Sequence, residues 1–160
     1  MNIFVLDTDP YRAAQLHCDK HVVKMILETA QLLCTAHRIL DGDEAVDPIF
    51  YRITHKNHPS AVWVRESNNN YIWTWCLLDG LCKEYTRRYG KTHVTETKLL
   101  SKLYQPPRNI PIYHKTPQPQ CMPDEYKHDN VVEAYRKYYI GAKASIAKWK
   151  NTPQPEWWSS

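Results

Sequence analysis

A single carboxylate lies among cations and imidazoles in the stretch from Cys18 to Arg38, CDKHVVKMILETAQLLCTAHR. His21, Lys24, Glu28, Gln31, Thr35 and Arg38 recur at steps of three and four, and His17 extends the row by one turn. Such steps align side chains along one face of a helix. A glutamate set among bases can oppose a developing positive charge, while His21, Lys24 and Arg38 can hold phosphates. An idle solvated face would share the spacing, but it would be filled with Lys and Glu rather than His, Gln and Thr. The row reads as the wall of a cleft. His17 and His21 are four apart with Glu28 two turns on, a spacing able to ligate a metal. The glutamate of an HExxH site is missing, and no metal or other cofactor is expected.

A second reactive group is the α-amine of the chain. Asn2 is too bulky for the usual removal of an initiator methionine, so the amine is expected on Met1. An α-amine ordinarily titrates at about 7.7–8.0, so much of it is free base near neutral pH. Every chain has such a group, and it acquires meaning only from what surrounds it. The sequence has no P-loop, GxGxxG, GxSxG or HxE with PCxxC, which removes the common nucleotide, hydrolase and deaminase fingerprints.

The elements that must position these groups are helical. Asp9-Pro10 reads as an N-cap followed by proline at the first helical position. Val22, Met25, Ile26, Ala30, Leu33 and Ala36 form the buried stripe of the long helix, with Leu27, Leu32 and Cys34 on a further apolar flank. Asp19 is placed to cap that helix, and Asp41-Gly42 ends it. His58-Pro59 starts another helix, which the NNN run at 68–70 breaks or re-caps. Tyr71, Trp75, Leu78, Tyr85 and Tyr89 mark a second long helix, stopped by Gly90. A short helix is expected over 95–104. Asp129 or Asn130 caps a last helix, expected from Val131 to about Trp149. Residues 105–123 hold six prolines and read as a stiff extended loop, of a length that is usually functional or draped over a core. The fold class is therefore all-α: one compact helical domain, residues 1–160, with a long Pro-rich loop.

Composition narrows the partner. The chain of 160 residues is 42% hydrophobic and 24% charged, which suits a globular domain with a real core. Its net charge of +4 is concentrated near the C-terminus, where Arg136, Lys137, Lys143, Lys148 and Lys150 face only Glu133. Such a patch is the footprint of a phosphate-bearing partner, though a solvated helix face looks the same. Tyr138, Tyr139 or Trp149 could stack on exposed bases, and Trp63 or Tyr71 could line a base pocket. Five cysteines without a CxxC pair, and no apolar run long enough to span a bilayer, point to a reduced, cytoplasmic protein without a membrane partner. The oligomeric state is left open.

KHVVKMILE resembles the first helix of the pyrimidine-dimer DNA glycosylase/AP lyases, the phage endonuclease V type, which carry a similar QH…E pattern. Their N-terminal arm reads T-R-I where this chain has Met1, Asn2 and Ile3. Their aromatic-basic segment WYKYYGK is similar to Tyr135–Tyr139 and the Gly141–Lys143 stretch, and LCKEYTRRYG is similar to their E…KRG helix end. The whole chain also resembles a phage-encoded family with a CDKHVVKM…E.AQLL…AHR signature, from which no activity follows. The glycosylase resemblance implies an all-α fold that flips a nucleotide from duplex DNA in a phage-infected cell. It implies that Met1 is the nucleophile at the sugar C1′ and that Glu28 assists. Leu27 and Gln31 stand where that family has arginines. Two other functions fit the residues: a non-catalytic DNA- or RNA-binding protein of the same fold, and a metal-dependent enzyme on a nucleotide-like small substrate, using His17, His21 and Glu28.

Overall fold

The computed structural model describes residues 1–158. Its elements are α1 (Pro10–Leu16), α2 (Asp19–Asp41), α3 (Pro59–Glu66), α4 (Asn68–Tyr89) and α5 (Val131–Ala142), with short 3₁₀ and π turns between them. No strand occurs among the described residues. No helix is long and apolar enough to cross a membrane.

Local chemistry sets most helix ends. The Asp9 side chain accepts from the backbone N–H groups of Tyr11 and Arg12, and Pro10 occupies the first helical position. Gly42 (φ 86°) and Gly90 (φ 70°) close α2 and α4 in a backbone region that other residues rarely enter. Ser67 caps α4 through Asn70, so the NNN run opens this helix and Tyr71 lies one turn inside it. The helix expected over 95–104 reduces to a π turn at Glu96–Leu100 and a 3₁₀ turn at Lys102–Tyr104.

α2 and α4 pack against each other and carry the core, with α1 laid on α4 and α3 bridging the pair. The stripe Val22, Met25, Ile26, Ala30, Leu33 and Ala36 is buried throughout, whereas Leu27 is exposed. α1 approaches α4 so closely that a Cβ on Gly80 would stand 2.8 Å from that of Ala14. Ile3, Phe4, Val5 and Leu6 form a buried arm.

Two expectations need correction. Asp19 is the first residue of α2 and not its cap; Cys18 holds the cap position. The Asp19 carboxylate is drawn instead to the buried Arg88 guanidinium at 3.0 Å and to the Lys150 backbone N–H. Arg88 also pairs with Glu84 at 3.1 Å and donates to the carbonyls of Gln15 and His17, tying α4 to the α1–α2 junction. The last helix stops at Ala142, seven residues before Trp149, because the chain turns at Lys143 and returns to that junction. There Lys148 O accepts from Asp19 N, and the Trp149 indole donates to Leu16 O. The basic residues expected on one helix are thereby divided between α5 and the returning segment.

Candidate active site

The arm 1–6 runs beside the first half of α2, and Asn2 anchors it. The Asn2 Oδ1 accepts from its neighbour Ile3 N at 2.8 Å and from the Tyr135 hydroxyl of α5 at 2.9 Å. Its Nδ2 donates to Cys121 O at 2.9 Å, and Cys121 N in turn donates to the Tyr135 hydroxyl. Phe4 adds a second anchor by stacking on the His21 ring, 4.4 Å between centroids. These contacts leave the first residue little freedom. They place the Met1 α-amine 3.3 Å from Glu28 Oε1.

The amine and the carboxylate face a cleft of about 250 Å³ shared by the arm, α2, the start of α3, the Pro-rich loop and α5. Lys24 reaches 3.7 Å from Glu28 Oε2 across one helical turn. That oxygen is buried and accepts no hydrogen bond. Lys143 stands on the opposite side, its ammonium 4.9 Å from the centre of the Tyr138 ring. His58 lines the same cleft. Its Nδ1 accepts from Ser60 N as the cap of α3, which puts the proton of the neutral ring on Nε2. Burial lowers its pKa first, the nearby Met1 amine charge lowers it further, and Glu28 opposes both.

His21 and His17 are different in kind. Burial, with smaller effects from His17, Lys143 and Lys24, lowers His21 from 6.5 to about 3. Burial also lowers His17 to about 4. His21 Nδ1 shares a 2.6 Å hydrogen bond with the Tyr139 hydroxyl, and His17 Nδ1 bonds Ala13 O at the same distance. His21 thus forms the cleft wall as a neutral ring and brings no charge to a phosphate. Below pH 6.5 the unfolded chain binds protons that these two folded-state rings refuse, so acid favours unfolding. Stability is expected to be level above 6.5 and to fall as pH drops from 6.5 toward 4, by up to about 1.4 kcal/mol per pH unit for each ring. Urea titrations at pH 7 and pH 5 check this; equal unfolding free energies would contradict the buried neutral pair.

The remaining expected residues separate into those at the cleft and those elsewhere. Met1, Glu28, His21, Lys24, Tyr138 and Lys143 come together around it. Tyr139 is wholly buried beneath it, bonded to His21 and Cys18, so its ring is closed to a base. Arg38, about 20 Å further along α2 than Lys24, spends its guanidinium on Tyr51 O, Phe50 O and Asp43. Arg136 bonds Leu6 O and faces Asp7, while Lys137 is exposed on α5. Trp63 and Tyr71 are packed away from this cleft. The Trp63 indole donates to Thr116 O, and the Tyr71 hydroxyl donates to Leu103 O in the core. Neither lines a base pocket at this site. The functional row on α2 therefore divides: its first half faces the cleft, while Thr35 and Arg38 hold the 50–54 segment.

Sequence reasoning passed over Asn2, His58 and Cys121 as site residues. Asn2 stood out only for its bulk and His58 only as a helix start, and no local pattern links either to Glu28. Among the described residues, no group of three His, Cys, Asp or Glu side chains is arranged to hold a metal ion. No protein-family model, no curated protein and no solved structure matches this chain.

Proposed function

We propose that this protein is a DNA glycosylase/AP lyase that works through the Met1 α-amine. The observation that carries this reading is the 3.3 Å separation between that amine and Glu28 at a cleft flanked by Lys24 and Lys143. Asn2, Cys121 and Tyr135 clamp the arm just behind this amine. Here the clamp fixes a nucleophile beside a base.

In the reaction, the free-base amine attacks C1′ of a flipped deoxyribose. The C1′–N glycosidic bond breaks, and its electron pair leaves with the base, which takes up a proton. The ring C1′–O4′ bond then opens, O4′ is protonated, and the amine nitrogen becomes a C1′ imine. Loss of a C2′ proton expels the 3′ phosphate by breaking C3′–O, and water finally hydrolyses the imine to return the amine. Glu28 has two roles: it accepts the proton released by the attacking amine, and its charge opposes the cation that develops at C1′. Lys24 and Lys143 hold the flanking phosphates. Tyr138, half-buried at the mouth, offers a ring edge to the flipped nucleotide.

An imine is reducible, which provides the test. Incubation with an abasic duplex oligonucleotide and borohydride should give a covalent protein–DNA complex that forms only when the reductant is present. DNA binding without any trapped complex would overturn the lyase and leave the non-catalytic DNA- or RNA-binding alternative.

A further inference from the structure

His58 enters the cleft with one nitrogen committed and the other free. It holds the cap position of α3, where its Nδ1 accepts from Ser60 N at 3.1 Å. A backbone N–H can only donate, so this bond fixes Nδ1 as an acceptor and leaves the ring proton on Nε2. His58 makes no other side-chain hydrogen bond among the described residues. The half-buried ring lines the cleft together with Met1, Glu28 and Lys24. The same Nδ1 turn recurs at His93 and His128, away from the cleft, so the turn itself is ordinary local structure. The cap does not call for an imidazole either. Asp9, Ser67 and Asn130 start α1, α4 and α5 with side chains that cap more effectively. What sets His58 apart is a donor that the fold leaves unused beside the reacting groups.

That donor is uncharged. Burial, the Met1 amine charge and His55 lower the pKa of the ring against the pull of Glu28. Protonating Nδ1 would also break the bond to Ser60. A cation in this position would oppose the positive charge that develops at C1′. A neutral N–H instead stabilises an oxygen that gains charge, without that cost.

From this placement we propose that His58 is a further catalytic residue, whose Nε2–H donates to the ring oxygen O4′ of the deoxyribose attacked by Met1. The proposal rests on the lyase reading of the cleft. O4′ is bonded to C1′, so a group beside both the amine and Glu28 stands at O4′, whereas Lys24 and Lys143 reach the phosphates. As the C1′–O4′ bond breaks, its electron pair moves to O4′. The proton that O4′ takes up is the one Glu28 removed from the amine, and His58 keeps its own.

The test assigns the two nitrogens to two substitutions in the full-length protein. His58→Asn keeps an acceptor near the place of Nδ1, as a good helix cap, and leaves nothing near Nε2. His58→Gln sets an amide N–H near the place of Nε2 and gives up the cap. The Asn variant should keep the native unfolding midpoint and bind an abasic duplex normally, yet trap the imine about a hundredfold more slowly. The Gln variant should melt earlier but, compared on the folded protein, trap within about tenfold of the native rate. An oligonucleotide with an acyclic aldehyde in place of the abasic sugar has no ring to open, so the Asn variant should trap it at the native rate. Trapping that is native in the Asn variant and slow in the Gln variant would leave His58 as a cap alone. Equal slowing of the Asn variant on both oligonucleotides would overturn O4′ as its partner. A native protein that traps neither oligonucleotide would overturn the lyase itself and, with it, the part of His58.

Discussion

Glu28→Gln should fold, bind abasic DNA at least as well as the native protein, and lose two to three orders of magnitude in the rate of imine trapping. The substitution keeps shape and hydrogen bonding and removes one charge. The carboxylate is not a packing element: its neighbours are the amine at 3.3 Å and the mostly exposed Lys24 at 3.7 Å. The pair with the amine is largely buried, its two sides 2% and 13% exposed, so the lost charge should lower stability by at most about 3–5 kcal/mol, and the rate is compared on the folded protein. The rate is another matter, because a fixed charge opposite a developing cation commonly supplies about 3–4 kcal/mol to the transition state. Binding should hold or tighten, since a negative charge near the phosphates has gone. A Glu28→Gln protein that melts far earlier and traps normally once folded would make Glu28 a structural anchor and remove it from the reaction.

The second large effect concerns the amine. Acetylating the Met1 nitrogen, or leaving one extra residue ahead of it, should reduce trapping to the level of a protein-free control. An acetamide has no basic lone pair for attack at C1′. An added residue carries the free amine away from Glu28 and pushes an amide into a 250 Å³ cleft. Neither change touches the packing of α2 on α4, so both proteins should keep their helical content, with a melting transition lowered only by the loss of the amine's pairing with Glu28. Normal trapping by the acetylated protein would show that another nitrogen does the chemistry.

Local rules made much of this architecture legible. The buried stripe of α2, the Asp9-Pro10 start of α1 and the glycine stop of α4 each depend on residues within a turn of one another, and all three stand in the structure, whereas the polar row of α2 faces the cleft only over its first half. What stayed hidden depends on partners far apart in sequence. Asn2 meets Cys121 and Tyr135, separated by 119 and 133 residues. The NNN run looked like a helix breaker because its side chains serve a loop more than forty residues away. Tyr139 looked like a surface ring beside basic residues, yet α5 turns it inward onto His21 and Cys18. The pairing of Met1 with Glu28 was legible only through resemblance, since nothing in the spacing of the chain brings its first residue to its second helix.

Mapping the reduced adduct tests the central claim most directly. The trapped complex is digested with nuclease and protease, and the peptides carrying a deoxyribose remnant are sequenced by mass spectrometry. The remnant should lie on the α-nitrogen of Met1, with Lys24 and Lys143 unmodified although both line the same cleft. A remnant on the ε-nitrogen of either lysine, with Met1 unmodified, would contradict the assignment of the nucleophile.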